Sequence, residues 1–408
     1  LQDDCVFESP LGLGPRPSYS RGRVYTLCDF STSLGHFYEI RSTMVSFSMR
    51  GLFSASPMTL FPNDVVALLK ALMDIMSSTG HEGDAIDYLV EGLHSDGWHV
   101  VRQRVGSAAN GRANVYATRN PKKVARLVFN SHIDTVPPHF GYKDDGVNVY
   151  GRGSCDAKGQ VACMIMAARR IVKEYPEMAE DIGLLFVVGE ELDHVGMLEA
   201  NKLENFGPEY LIVGEPTEMK YATIQKGALK VKLSVTGRAG HSGYPHAGES
   251  AVHKLVEILG DIIKYEWPKD EKIGDTTLNI GAISGGQALN AWAAKAEASI
   301  FFRVTTSYAD VKERLEKIVA GRADLDHSLG GNDPVFLSLP SFPHTTGQAA
   351  FNTDIPYYHK YRELKGVYLF GAGSITVAHG PGEFVPISEL KECIEKHIEL
   401  AKDLLKAN

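Results

Sequence analysis

The run from Gly183 to Val188, GLLFVV, is apolar almost throughout and stops at Gly189-Glu190-Glu191. A strand that is wet on one face alternates apolar with polar residues, so a continuous run has to be covered on both faces. RLVFNS (126–131) and YLIVG (210–214) have the same texture, and NVYATR (114–119) adds another strand signal. Between and before them, VVALLKALMDIMS, DAIDYLVEGLHSDGW and QVACMIMAARRIVKEY carry apolar residues at helical spacing. Strands buried on both faces and alternating with helices predict an α/β sandwich around a largely parallel sheet.

A chain of 408 residues is long for one core, which favours two domains. The net charge of -8 argues against nucleic acid, whose phosphates call for clustered Lys and Arg. No apolar run approaches the ~18 residues of a membrane-spanning helix, so no membrane association is expected. The five cysteines are odd in number, scattered and without a C-x-x-C pair, so neither a disulfide framework nor a structural zinc knuckle is expected.

Residues 1–57 are rich in Ser, Gly, Pro and Arg and lack sustained periodicity, which reads as a disordered or targeting tail. The compartment stays open, with the cytoplasm favoured over secretion or an organelle. Near Lys226 the texture changes, and ALKVKLSVTG, TTLNIGAIS and AKAEASIFFRV alternate strictly, with helical stretches SAVHKLVEILGDII and VKERLEKIV among them. This pattern predicts a small α+β domain with helices on one face of an antiparallel sheet. The expected organisation is a core domain in two pieces, 58–227 and 343–408, with a domain inserted at 228–342.

The polar residues after the apolar runs carry the chemistry. His132 and Asp134 follow RLVFNS, Glu190 and Glu191 follow GLLFVV, Glu215 follows YLIVG, and His379 comes after VYLFGAGSITV. Ligands of open α/β sheets bind beyond the carboxyl ends of the strands, so these groups converge although they are far apart in sequence. Asp156, in the Gly-rich turn GRGSCDAKG, adds another acid. Singly, His132 reads as a structural histidine, Asp156 as a helix cap and Glu190-Glu191 as a solvated turn. Together, imidazoles and carboxylates form a donor set for zinc or cobalt. One of the paired glutamates can then bind metal while the other takes a proton from water.

The series SHIDTVP, GRGSCDAKG, FVVGEEL, VGEPTE, GHSGYPH and AHGPGE resembles the dinuclear zinc hydrolases that include aminoacylase, acetylornithine deacetylase, succinyl-diaminopimelate desuccinylase and bacterial glutamate carboxypeptidase. The resemblance runs from about Pro62 to the C-terminus, and its wording is closest to fungal proteins described as probable carboxypeptidases. It implies a zinc-peptidase α/β sandwich with an inserted ferredoxin-like lid and dimerisation domain. It also implies two zinc ions bridged by Asp156, with His132 and Glu215 on one and Glu191 and His379 on the other. Asp134 would orient His132, Glu190 would be the general base and acid, and the Asp156-Ala157 peptide would be cis. In the inserted domain, His241 would stabilise the oxyanion from across a homodimer, while Arg303 and Asn290 would bind the substrate carboxylate. The implied reaction is hydrolysis of an amide beside a free carboxylate. Release of a C-terminal amino acid from a peptide is favoured, and deacylation of an N-acyl amino acid is the alternative. A cysteine nucleophile at Cys155 or Cys163 is disfavoured against buried packing.

Overall fold

The structure, a computed structural model, describes residues 60–106 and 111–406. The stretch read as a tail lies outside them. Helices α1 (Val65–Met73) and α2 (Gly83–Ser95) open the described chain. Asp64 caps α1, its carboxylate accepting from the N–H groups of Val66 and Ala67, both at 3.0 Å. The other end of α1 meets a buried cation, for Lys158 Nζ donates to the carbonyls of Leu72 and Ile75 at 2.9 and 2.6 Å.

The central sheet contains β1 (His99–Arg104), β2 (Ala113–Thr118), β3 (Leu127–His132), β4 (Ile182–Val187), β5 (Tyr210–Val213) and β10 (Gly366–Leu369), in the order β1-β2-β4-β3-β5-β10. The last four are parallel to one another, whereas β2 is antiparallel to β4 and β1 to β2. The sheet is thus largely parallel, as expected, with an antiparallel edge formed by β1 and β2. A short connection reverses direction between neighbouring strands, and only residues 105–112 separate β1 from the β2 it pairs with.

Every residue of β3 and β4 is buried, and the side chains alternate between two cores. Leu127, Phe129, Leu184 and Phe186 pack with α3 (Lys158–Glu174) and α7 (Ile387–Lys406), for example on Ile165 and Ile398. Val128, Leu185, Leu211 and Val213 pack on the opposite side, against Met197 of α4 (Val195–Ala200) and Tyr358. These are the two coverings that the uninterrupted apolar runs require.

The alternating segment forms a second sheet from β6 (Gly227–Thr236), β7 (Thr277–Gly285), β8 (Lys295–Val304) and β9 (Asp324–Asp326), ordered β7-β8-β6-β9 and antiparallel throughout. With α5 (Ala251–Lys264) and α6 (Tyr308–Val319) the chain order is β-α-β-β-α-β, the ferredoxin-like arrangement. Leu229, Val231 and Leu233 face Leu255 and Ile258 of α5 and Leu315 of α6. The residues between them in sequence lie on the open face of the sheet.

At the edge of the central sheet, Glu209 ties β3 to β10. Arg126 donates to both its carboxylate oxygens at 3.0 and 3.1 Å, and Lys365 Nζ donates at 2.8 Å. The hydrogen bonds from Arg126, then Lys365, hold the Glu209 carboxyl at about 2. A carboxyl whose proton affinity falls on folding stabilises the fold above its unfolded value of about 4.3, and this contribution is lost as pH falls toward the folded value. The group is partly exposed, so screening limits its worth to on the order of 1 kcal/mol. In denaturant titrations, Glu209→Gln is expected to be less stable than the parent at pH 6, with the gap closing as pH falls from about 5 to about 2. A gap independent of pH would contradict this origin.

Candidate active site

The register of the parallel strands sets the site. His132 lies beside Val187, and Asn130 beside Val213, so β3, β4 and β5 end side by side. The residues just beyond them meet there: His132 and Asp134, Glu190 and Glu191, and Glu215. Asp156 joins them from the turn before α3, and His379 from the connection between β10 and α7. His132 Nε2 is 3.0 Å from Asp156 Oδ1 and 3.8 Å from Glu215 Oε1. His379 Nε2 is 3.2 Å from Asp156 Oδ2 and 3.0 Å from Glu191 Oε2. Two donor groups able to hold a cation result, His132-Asp156-Glu215 and Asp156-Glu191-His379, with Asp156 in both.

Backbone contacts hold these side chains in place. The Asp134 carboxylate lies 3.6 Å from His132 Nδ1, which is closer, at 2.8 Å, to the Asp134 carbonyl oxygen. Its shorter carboxylate contacts are the N–H groups of Gly189, Glu190 and Glu191 and the Thr79 hydroxyl, at 2.9, 3.1, 3.3 and 2.8 Å. Asp134 thus fixes the turn that presents both glutamates. Gly189 takes φ +80° there, and a Cβ would come within 2.8 Å of Val195 Cγ1. Glu383 does the same for Asp156, with one oxygen accepting from the N–H groups of Gly153, Cys155 and Asp156 and the other from Arg152. The Asp156-Ala157 peptide is cis, and His379 has φ +62°.

The donor set fits divalent cations. Burial pushes the Glu190 and Glu215 carboxyls well above the ordinary range, with His132 only partly opposing it, and pushes Glu191 up as well. Burial also opposes the charge on Asp156, but hydrogen bonds with His132 and His379 outweigh it and hold Asp156 low. Hydrogen bonds to Asp156 and Glu191 push His379 up to about 10. So many buried acids need positive charge, which protonated imidazoles supply in the protein alone and a metal supplies on replacing those protons. Among the described residues the buried Oε1 of Glu191 has no hydrogen-bond partner and is free to coordinate.

A cavity of about 290 Å³ opens over this cluster. Arg303 on β8 lines it, as do Lys230 and Phe301 of the same sheet. His241 and Asn290 do not line it. They sit together on the exposed surface of the inserted segment, where the Ser242 N–H donates to the Asn290 carbonyl at 2.9 Å. Several lining or supporting groups escaped the sequence analysis. His194 is 3.7 Å from Glu190 Oε1, hydrogen-bonded to Asp354 at 3.0 Å and stacked on Tyr357. Its spacing of four from Glu190 was a faint signal, and Glu383 lay inside the AHGPGE motif. Cys155 and Cys163 are buried, and burial pushes both thiols well above their usual range, away from nucleophilic use.

Fold and site together define a metallohydrolase. Residues 223–326 match the family model for a peptidase dimerisation domain, and residues 114–209 that of peptidase family M28. A peptidase M20 domain-containing protein of Schizosaccharomyces pombe is 40% identical over 335 residues, covering 81% of this chain and 82% of its own. A probable carboxypeptidase of Uncinocarpus reesii is 34% identical, covering 83% and 86%. Among solved structures, an M20 family metallo-carboxypeptidase from Sulfolobus solfataricus shares the fold at a TM-score of 0.66 and 17% identity, covering 83% and 98%. A tripeptidase from Staphylococcus aureus does so at 0.68 and 20%, covering 84% and 98%. The chain belongs to the M20 peptidase family and is a metallopeptidase.

Proposed function

We propose that this metallopeptidase is a carboxypeptidase that releases the C-terminal amino acid of small peptides. The observation that carries the reading is the guanidinium of Arg303, which has no hydrogen-bond or ion-pair partner among the described residues and lines the same cavity as Glu190, Asp156 and His379. A free carboxylate held by Arg303 places the adjoining amide over the cluster. His132 and Glu215 would hold one zinc, Glu191 and His379 the other, and Asp156 both. Bound there, zinc supplies Lewis acidity and a water that deprotonates near neutral pH.

The remaining work falls to the chain. Glu190 takes the proton of the attacking water, and its buried, proton-avid carboxyl suits that role. Asp134 keeps the Glu190 turn aimed at the substrate. After the C–N bond breaks, Glu190 hands the proton to the leaving amine. Matched panels of dipeptides and N-acetyl amino acids test the substrate class. Cleavage of the dipeptides at the higher kcat/KM is expected, whereas preference for the acetylated series would make the enzyme a deacylase.

A homodimer through the inserted segment completes the reading. Its edge strand β7 exposes Ile283, and α5 exposes Val256 and Ile263, an apolar surface that suits a second copy. His241 of that copy would reach the substrate oxyanion. Mixing His241→Ala with Glu190→Ala subunits should then restore roughly a quarter of parent activity, the share of intact sites under random pairing. No recovery in mixed dimers would count against a shared site.

A further inference from the structure

The geometry points to a second substrate-reading cation beside Arg303: we propose that Lys230 binds a side-chain carboxylate, so that the enzyme favours an acidic C-terminal residue, aspartate or glutamate. The inference rests on the carboxypeptidase reading above and narrows its substrate.

Strand pairing places the two cations on one surface. Lys230 on β6 lies opposite Phe301 on β8, and Arg303 stands two residues further along β8, so all three occupy the open face of that sheet. Their buried neighbours Val231 and Phe302 point the other way, into the core with α5 and α6. The charged heads of Arg303 and Lys230 lie 4.1 and 5.6 Å from the centre of the same Phe301 ring. One amino acid with two carboxylates spans such a pair.

Neither cation is neutralised. Among the described residues Arg303 has no hydrogen bond or ion pair, and Lys230 Nζ makes a single hydrogen bond, to the Leu192 carbonyl at 2.7 Å. The remaining N–H groups of both are unspent. Lys232, next along the same face but outside the cavity lining, pairs with Glu297 at 2.8 Å. The cations within the cleft therefore differ from their neighbour in lacking a carboxylate. Holding two such charges partly out of water is costly unless a ligand provides the counter-charges. Burial indeed lowers the proton affinity of both, with Glu190 only partly opposing it. Of the acids across the cavity, Asp156, Glu191 and Glu215 would be taken up by metal and Glu190 by the proton path. The α-carboxylate of a substrate suits the planar fork of Arg303, and a side-chain carboxylate suits the point charge of Lys230.

The test compares kcat/KM for Ala-Glu, its neutral isostere Ala-Gln, and Ala-Leu, in the parent enzyme and in Lys230→Met and Lys230→Arg. Calorimetric binding of free glutamate and glutamine is measured alongside. The parent should favour the Glu peptide over the Gln peptide by about tenfold to a hundredfold, the range for one charge-assisted hydrogen bond. Lys230→Met should bring that ratio close to one, and Lys230→Arg should keep most of it. A parent ratio near one would overturn the inference. So would an equal loss on all three peptides in Lys230→Met, which would make Lys230 a latch on Leu192. If no peptide is cleaved, the carboxypeptidase reading fails by itself. Glutamate binding then still decides the role of Lys230: tighter than glutamine in the parent and level with it in Lys230→Met supports the subsite, and equal binding in the parent overturns it.

Discussion

Glu190→Gln is expected to lower kcat by about 10³ to 10⁴ while leaving metal content and thermal midpoint close to those of the parent. The amide keeps the size of the carboxylate and its place after β4, because the turn is held by the backbone N–H groups of Gly189 and Glu190 on Asp134 rather than by the side chain of Glu190. What the amide cannot do is accept the proton of water and return it to the leaving nitrogen. Glu190 belongs to neither donor group, so metal should still bind. Residual activity within tenfold of the parent would remove Glu190 from the proton path. Loss of metal would move it into the donor set.

Asp156→Asn should have the larger effect on the protein as a whole. Asp156 is common to both donor groups, with one oxygen toward His132 and the other toward His379. The amide retains hydrogen-bonding capacity but removes the charge that both groups share, and its nitrogen cannot coordinate. Both metals should be lost and activity should fall below detection. A metal that binds only the folded chain raises the unfolding temperature, and chelation removes that increment. The parent midpoint should therefore drop on chelation, while that of Asp156→Asn hardly moves. Retention of one tightly bound metal in the variant would show that the two groups act independently of Asp156.

Much of this site was legible because it hangs on strand ends. RLVFNS, GLLFVV and YLIVG are apolar enough to identify strands covered on both faces, and the polar residues that follow each run could be placed at one edge of a sheet. The exposed edge strand β1, HVVRQR, was less legible, since its mixed burial resembles neither strand pattern. Side-chain direction was also out of reach. Asp134 was expected on an imidazole, and its carboxylate instead accepts most closely from the Thr79 hydroxyl and from the turn that carries Glu190 and Glu191. Lys230 looked like any polar residue on the wet face of an alternating strand.

From its own amino acids this chain determined the buried parallel strands, the alternating inserted sheet and the acids and imidazoles available to a metal. These depend on hydrophobic period and residue type, which are local properties. Tertiary structure alone decided that Asp134 braces the turn of Glu190 and Glu191, that Glu383 cradles the Asp156 turn, and that Lys230 and Arg303 face one cavity with no counter-ion among the described residues. Such pairings join residues far apart in the chain, and register and packing between whole elements set them.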